Sequence, residues 1–264
     1  MENVVVLALL ATLGTWGLTA LGAATVFCFR NPKPKTMNLL LGFASGVMIA
    51  ASFWSLLQPA IERAEKSLLL PAWVVVSFGF LAGAFFMWLS DKIVTRARRA
   101  TVCENQKRTN RILMLVLSIT LHNIPEGLAV GVAFGALHAG GYTAEALMGA
   151  VTIALGIGLQ NFPEGAAVAL PLRREGYSTN KCFLIGQASG MVEPIAGVLG
   201  AAMVVHITTI LPFALAFAAG TMILVAVHEL IPECQQNQED TPYFSTMGIV
   251  FGFALMMILD VALG

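Results

Sequence analysis

Charged residues are scarce in this sequence of 264 residues, making up 11% of it, whereas 57% of the residues are hydrophobic and the mean hydropathy is +0.79. Such a composition excludes an ordinary soluble domain. Lysine and arginine are absent from the interiors of the long apolar runs, and the sequence has no G-x-x-x-x-G-K phosphate-binding loop. A process powered by ATP bound at such a loop is therefore excluded.

Cysteine is also rare, with four residues in the whole chain and no C-x-x-C pair. All four fall on the side of the membrane that the charge pattern below assigns to the cytoplasm: Cys28, Cys103, Cys182 and Cys234. We expect reduced thiols there and no clustered thiolate site for a metal.

Eight apolar runs approach or exceed the ~20 residues that a helix needs to cross a bilayer. In chain order, runs 1 to 8 cover approximately residues 4–29, 38–60, 69–90, 112–136, 144–171, 183–205, 208–233 and 243–263. Run 1 has no basic segment before it, so we interpret it as a span and not as a signal peptide. The sequence predicts an all-α polytopic membrane protein with eight transmembrane helices, forming a single domain over residues 1–264.

The distribution of basic residues predicts the orientation of these helices. Thirteen of the 15 lysines and arginines fall in loops on one side, and only Arg63 and Lys66 fall on the other. The positive-inside rule then places both termini outside and the basic loop 91–111 in the cytoplasm, in a multi-pass protein of the cell (inner or plasma) membrane. We interpret this loop as an orientation signal in contact with lipid headgroups, and assign it no nucleic-acid partner.

Two related motifs lie inside runs 4 and 5, at a spacing of 38 residues: His-Asn-Ile-Pro-Glu-Gly at 122–127 and Gln-Asn-Phe-Pro-Glu-Gly at 160–165. Positions three and four apart share a helix face, so each motif projects a small set of nitrogen and oxygen ligands from one side. The prolines, Pro125 and Pro163, predict a broken turn at each motif. The glycines that end the motifs would let the two helices approach closely.

Acidic residues lie deep in the apolar runs without any basic partner, namely Glu126, Glu164, Glu193 and Glu229, together with His122 and His228. Each acid at a helix centre costs ~2.5 to 3.5 kcal/mol even on the mildest scale. The cluster therefore predicts bound cations. Imidazole with carboxylate and amide oxygens suits Zn²⁺ first, and also Cd²⁺, Fe²⁺ or Mn²⁺, whereas Mg²⁺ and Ca²⁺ prefer oxygen alone.

The other polar features have plainer interpretations. Run 1 is interpreted as packing, Met48 in run 2 as a core residue unless other observations promote it, and Asp260 as a solvated anchor. The faces rich in glycine and alanine suit either internal packing or a homodimer.

The paired N-x-P-E-G motifs, the eight runs and the basic loop resemble the ZIP (Zrt- and Irt-like protein) family of divalent-metal transporters, in its prokaryotic-type branch. The resemblance implies two bound ions midway through the membrane. It assigns the first ion to Met48, His122, Glu126, Gln160 and Glu164, and the second to Asn123, Glu126, Asn161, Glu164 and Glu193. It places His228 and Glu229 on the cytoplasmic exit route. Asn161 stands where some relatives carry a carboxylate, and Gln160 where many eukaryotic members have histidine.

The resemblance also implies that the helices carrying the ligands slide as a block against helices 2, 3, 7 and 8, so that the ion moves inward without ATP. Two alternatives remain open at this stage. An intramembrane metallohydrolase would need H-E-x-x-H, but His228-Glu229 is followed by Pro232 at the fifth position. A metal sensor that passes no ion differs from a transporter only in flux.

Overall fold

The computed structural model describes residues 2–29, 33–67, 70–100, 107–140, 142–174, 176–235 and 243–263. Within these ranges every regular element is helical, which confirms the predicted all-α class. The helices are α1 (Glu2–Cys28), α2 (Pro34–Ala51), α3 (Gln58–Ser67), α4 (Ala72–Ala100), α5 (Lys107–Gly140), α6 (Ala144–Arg174), α7 (Thr179–Ser189), α8 (Val192–His206), α9 (Leu211–Val225), α10 (Ile231–Cys234) and α11 (Phe244–Leu263).

Three short turns of other helical types connect some of these elements. A π-helical turn at Ser52–Leu57 joins α2 to α3, and a second at Ala226–Leu230 joins α9 to α10. A 3₁₀ turn at Thr208–Ile210 precedes α9. Runs 2 and 7 are therefore continuous helical segments that widen by a π turn part-way along, a feature often found at functional sites.

Seven helical segments of the described chain are long and apolar enough to cross a membrane, by length and composition. They correspond to runs 1, 2, 3, 5, 6, 7 and 8 and support a multi-pass membrane protein. Run 4 corresponds to α5, which has 34 residues and is therefore about 50 Å long, although it is not one of the seven.

The predicted loop 91–111 is mostly helical in the structure. Helix α4 continues to Ala100, and α5 begins at Lys107, so only residues 101–106, with Cys103, lie outside the described residues. The prediction of a loop at 91–100 and 107–111 was wrong because basic residues end the apolar pattern without ending the helix. Lysine and arginine are good helix formers.

The motif prolines do not end their helices, because α5 continues through Pro125 and α6 through Pro163. Since proline has no backbone N–H, each turn still lacks one hydrogen-bond donor. The chain breaks instead in run 6, where Gly190 and Met191 separate α7 from α8. This break places Glu193 in the first turn of α8. A carboxylate is favoured there by the positive end of the helix dipole.

Glycines bring the backbones of four pairs of helices into direct contact: α1 with α6, α5 with α8, α2 with α11, and α4 with α9. A Cβ atom added to Gly131 of α5 would overlap the backbone of Gly197 on α8, and one added to Gly22 of α1 would overlap the backbone at Phe162 on α6. These glycines serve internal packing. The homodimer, which similar faces would also suit, stays a prediction.

The glycine contacts join the helices in these four pairs, and we assign the pairs to two groups according to whether they include a motif helix. The motif group contains α1, α5, α6, α7 and α8, and the opposing group contains α2, α4, α9 and α11. Wherever a described glycine meets the backbone of another helix, both helices belong to the same group. At the boundary, where α6 passes α11, Gly156 meets the side chain of Met256 instead. The groups also meet where α2 packs on α6 and α9 packs on α5.

Candidate metal centre

The side chains that the sequence singles out as metal ligands are buried in the bundle. Each has an exposed fraction of 5% or less: Met48, His122, Asn123, Glu126, Gln160, Asn161, Glu164 and Glu193. Polar and acidic groups at this depth are costly without partners, so their hydrogen bonds decide what the site can do.

Glu126 of α5 and Gln160 of α6 are joined directly. The Gln160 side-chain amide donates a hydrogen bond to Glu126 Oε1 at 2.6 Å, across the gap between the two motif helices. The second oxygen of Glu126 and the carbonyl oxygen of Gln160 are buried and have no hydrogen-bond partner. The sequence prediction that the two motifs face each other is therefore consistent with this bond.

Glu193 lies at the start of α8 and is held by three donors. The Asn161 amide donates to its Oε2 at 2.8 Å, the Thr15 hydroxyl to the same oxygen at 2.5 Å, and the Thr19 hydroxyl to Oε1 at 3.4 Å. Two of these donors belong to α1. The prediction that run 1 serves packing alone was wrong, because its threonines contact one of the intramembrane acids.

Asn123 of α5 is oriented by the break between α7 and α8. Its amide donates a hydrogen bond to the carbonyl oxygen of Ser189 at 2.8 Å. Ser189 is the last residue of α7, where carbonyls lose their usual helical donors. The carbonyl oxygen of Asn123 is left buried and without a partner.

His122 connects the motif group to the opposing group. Its Nε2 atom lies 2.7 Å from Glu229 Oε1, which belongs to the π-helical turn after α9. The Glu229 side chain is 26% exposed, and the neighbouring His228 is also exposed. Met48 is buried on α2, the opposing-group helix that packs on α6, the helix of the second motif.

Buried oxygens without partners concentrate at the two motifs. Seven buried side-chain oxygens in the described residues have no hydrogen-bond partner, and five of them belong to predicted ligands: Asn123 Oδ1, Glu126 Oε2, Gln160 Oε1, Asn161 Oδ1 and Glu164 Oε1. In all three amides, the nitrogen donates to a neighbour and the carbonyl oxygen is the atom left over. Such oxygens are the ligands that a divalent cation requires.

The acids are spread out and do not meet at one point. In the described part of the chain, no three His, Cys, Asp or Glu side chains lie close enough together to hold an ion. Each charged group is bonded to a different partner: Glu126 to Gln160, Glu193 to Asn161 and Thr15, and His122 to Glu229. Any ion held here would use the amide oxygens as well as the carboxylates.

The structure adds polar residues that the sequence argument missed. Thr15 and Thr19 lie on one face of α1 with Thr12, at the i, i+3 and i+7 spacing of a helix face, which was the available signal. Asp260, predicted to be a solvated anchor, instead accepts a hydrogen bond from Ser55 at 2.5 Å, and its other carboxylate oxygen is buried without a partner. The Asp260 prediction was wrong because Ser55, in the π-helical turn after α2, donates a hydrogen bond to this carboxylate.

Comparison with known proteins gives a consistent result. The family profile described as "ZIP Zinc transporter" matches residues 3–111 and 100–260. The protein named "Zinc transporter ZIP11" of Xenopus tropicalis is 40% identical, with 97% of each chain covered. "Zinc transporter ZIPB" of Bordetella bronchiseptica is 36% identical over 93% of this chain and 78% of that protein, and "Zinc transporter GufA" of Myxococcus xanthus is 35% identical over 97% and 98%.

The bacterial relatives fit the predicted prokaryotic-type branch, and the family consists of transporters and not enzymes. With paired motifs on α5 and α6 that present unpartnered oxygens inside a helical bundle, and with a family match over nearly its whole length, this chain belongs to the ZIP zinc transporter family.

Proposed function

We propose that the chain carries Zn²⁺ across the cell membrane into the cytoplasm, with Cd²⁺, Fe²⁺ and Mn²⁺ as further candidate substrates. Membership of the family makes it a divalent-metal transporter and a multi-pass membrane protein. The choice of zinc rests on the relatives, which are named zinc transporters, and on the mixed nitrogen and oxygen donors at the site.

The observation that carries this proposal is the set of five buried, unpartnered oxygens on α5 and α6. A buried acceptor without a donor costs about 1 to 3 kcal/mol, so five within two six-residue motifs are hard to account for by packing. A divalent cation would satisfy several of these oxygens at once. Zinc takes ligand oxygens at ~2.0 to 2.2 Å and histidine nitrogens at ~2.0 to 2.1 Å.

The first ion would be held by His122, Glu126, Gln160 and Glu164, with Met48 contributed by the opposing group. Four of these five side chains come from α5 and α6, and the Glu126–Gln160 hydrogen bond already brings one residue of each motif together. For His122 to bind the ion through Nε2, it must release Glu229. Glu229, with His228, lies where a departing ion would next find a ligand on the cytoplasmic route.

The second ion would lie beside Glu193, with Asn123, Asn161 and the shared carboxylates of Glu126 and Glu164. The carbonyl oxygens of Asn123 and Asn161 support this assignment, because both are buried and unpartnered while their nitrogens are bound elsewhere. The amide at position 161 supplies less charge than a carboxylate would. We therefore expect the second ion to bind more weakly than the first.

The division into two groups of helices supports an elevator-type movement. Glycines bring backbones together within each pair of helices, and both helices of a pair belong to the same group, whereas at the boundary Gly156 meets a flexible side chain. Helices packed backbone to backbone would move together, and flexible side chains would permit sliding between the groups. The motif group would carry the ion past the opposing group, with both termini outside and the basic segment between α4 and α5 inside.

The membrane potential would drive this movement inward. Each elementary charge gains ~2.3 kcal/mol per 100 mV, so a divalent ion gains about twice that. The acidic side chains of the site reduce the net charge that moves, because they travel with the ion. The gradient of the metal itself supplies the remainder.

The experiment that tests this function is Zn²⁺ uptake into proteoliposomes that contain a fluorescent chelator, under an imposed inside-negative potential. Wild-type protein should take up Zn²⁺, and Glu126→Gln should take up almost none because the shared carboxylate is lost. The matched control is Glu65→Gln, which makes the same change at an exposed position on α3. Binding of Zn²⁺ without uptake by the wild type would contradict transport and favour a sensor.

The elevator movement has a separate test. Cysteines at positions 156 and 256, in a variant without the native cysteines, would form a disulfide across the group boundary. We expect oxidation to stop uptake and a reducing agent to restore it, because the bond prevents sliding. Full uptake by the oxidised, cross-linked protein would contradict the movement while leaving metal transport in place.

A further inference from the structure

Helix α1 has no acidic or basic residue beyond Glu2 and no ligand assigned by the motifs, yet it contacts the site through a row of threonines. Thr12, Thr15 and Thr19 are all buried, with exposed fractions of 2% or less. The hydroxyl of Thr12 donates to the carbonyl of Ala8 at 2.7 Å, within its own helix. The hydroxyls of Thr15 and Thr19 are different, because they also reach Glu193.

The contact of Thr15 with Glu193 is the stronger of the two. Thr15 Oγ1 lies 2.5 Å from Glu193 Oε2 and 3.0 Å from the carbonyl of Thr12. A hydroxyl has one hydrogen to donate, and the shorter contact to a carboxylate is the stronger bond. Thr19, by contrast, lies 3.4 Å from its nearest acceptors, which is at the limit of a hydrogen bond.

The surroundings of Glu193 allow little choice of position. Its carboxylate lies in the first turn of α8, beside Gly190. A Cβ atom at Gly190 would come within 3.1 Å of Glu193 Oε1 and 3.0 Å of Thr19 Oγ1, so only glycine leaves ordinary contact distance there. The carboxylate is therefore confined between α1 and the turn that joins α7 to α8.

Asn161 depends on this confined carboxylate. Its amide nitrogen donates to Glu193 Oε2, the oxygen that also accepts from Thr15, and makes only a long contact of 3.4 Å with the carbonyl of Thr15. Fixing the nitrogen also fixes the carbonyl oxygen on the other arm of the same planar amide. That oxygen is buried and without a partner.

We propose that Thr15 is a positioning residue for the second ion, whose hydroxyl holds Glu193 and, through it, directs the Asn161 carbonyl oxygen at that ion. This inference rests on the second ion of the proposed function. It makes α1 the fourth helix at that site, beside α5, α6 and α8. Partners behind metal ligands typically change metal affinity about 10- to 100-fold when they are removed.

The test is Cd²⁺ binding to the full-length protein in detergent, with the number of ions and both dissociation constants measured by calorimetry. Thr15→Val keeps the shape of the side chain and removes the hydroxyl. We expect the dissociation constant of the weaker ion to rise about 10- to 100-fold, while that of the tighter ion stays within a factor of two or so. The tighter ion thus reports that the variant is folded.

Two variants complete the comparison. Thr15→Ser keeps the hydroxyl and should bind both ions like the wild type, whereas a purely structural role of the methyl group would weaken this variant and leave Thr15→Val, which keeps that methyl, like the wild type. Thr12→Val removes the neighbouring hydroxyl, which bonds only within α1, and should leave both constants unchanged. If Thr15→Val does not fold, Thr15→Ala carries the same expectation for the weaker ion.

The outcomes separate this inference from the proposed function. Two ions bound by the wild type, with unchanged or tighter binding of the weaker ion in Thr15→Val, would overturn the role of Thr15 alone. A wild type that binds fewer than two ions would remove the second ion and this inference with it. Selective weakening of one ion, reversed in Thr15→Ser, is the result that we expect.

Discussion

Gly131→Ala tests the close packing of α5 on α8, on which the position of the first motif depends. The new Cβ atom would lie 2.7 Å from the carbonyl carbon of Gly197, closer still to its oxygen, and 2.8 Å from its Cα. Ordinary contact begins at 3.4 Å, so relieving the carbonyl carbon alone requires a separation of about 0.7 Å, and relieving the nearer oxygen requires more. Neither side of the contact has a flexible side chain that could yield.

The cost of this separation can be estimated from overpacked cores, where one extra methyl group destabilises by about 1 to 3 kcal/mol. A chain of this size loses roughly 2 to 4 °C of melting temperature per kcal/mol. We therefore expect a decrease of about 2 to 12 °C in detergent, measured by intrinsic fluorescence during heating.

The matched control is Gly14→Ala on α1, where the new Cβ atom would have no neighbour within 4 Å. Alanine favours a helix by up to ~1 kcal/mol over glycine, so the melting temperature should stay the same or rise by a few degrees. If Gly131→Ala melted like the wild type, or if both variants were destabilised equally, the close contact of α5 with α8 would not be what limits stability here.

The remaining predictions concern the site. Gln160→Leu removes the proposed ligand oxygen and the 2.6 Å hydrogen bond to Glu126, so the Kd for Zn²⁺ should rise at least 10-fold in calorimetry; an unchanged Kd would exclude Gln160 from the first ion. Glu229→Gln weakens the bond that His122 must break, so Zn²⁺ should bind as tightly or more tightly while uptake slows; weaker binding would instead make Glu229 a ligand. Because histidine and carboxylate ligands must lose protons to bind metal, Zn²⁺ affinity should fall steadily as the pH is lowered from 7.5 to 5.5; an affinity that rose with acidity would contradict the ligand set.

Much of the architecture could be predicted from the sequence because the bilayer imposes simple rules. Runs of ~20 apolar residues give helices, and the structure has helices at all eight predicted runs. The boundaries were less predictable, since α4 and α5 extend as helices into the basic residues. Helix propensity, and not hydropathy, decides where a helix ends once it has left the apolar layer.

The motif prolines did not predict where the helices end. Pro125 and Pro163 lie inside continuous helices, while the real break comes at Gly190, next to a carboxylate that the sequence had already identified. A proline removes one donor, but neighbouring helices can compensate, so it need not end a helix in a membrane. At the break, Gly190 has no Cβ atom, which would otherwise lie 3.1 Å from Glu193 Oε1, so the chain can turn close to this carboxylate.

The motif residues on α5 and α6 could be identified in advance because carboxylates without basic partners are rare in lipid. The hydrogen-bond partners of the buried acids and of His122 could not be identified from the sequence. The bonds from Glu193 to Thr15 and from His122 to Glu229 join residues 178 and 107 positions apart, and hydroxyls on an apolar helix give little signal of their own. Such pairings depend on which helices pack together, and glycine spacing alone does not determine that.

We propose above that the unpartnered oxygens on α5 and α6 bind the transported ion. The most direct measurement is anomalous X-ray scattering from crystals of the protein grown with Zn²⁺ or Cd²⁺. We expect a peak between the two helices, with Zn²⁺ ~2.0 to 2.2 Å from His122 Nε2 and from oxygens of Glu126, Gln160 and Glu164. A fully occupied peak elsewhere, for example at the exposed His138 or His228, with none between α5 and α6, would contradict it.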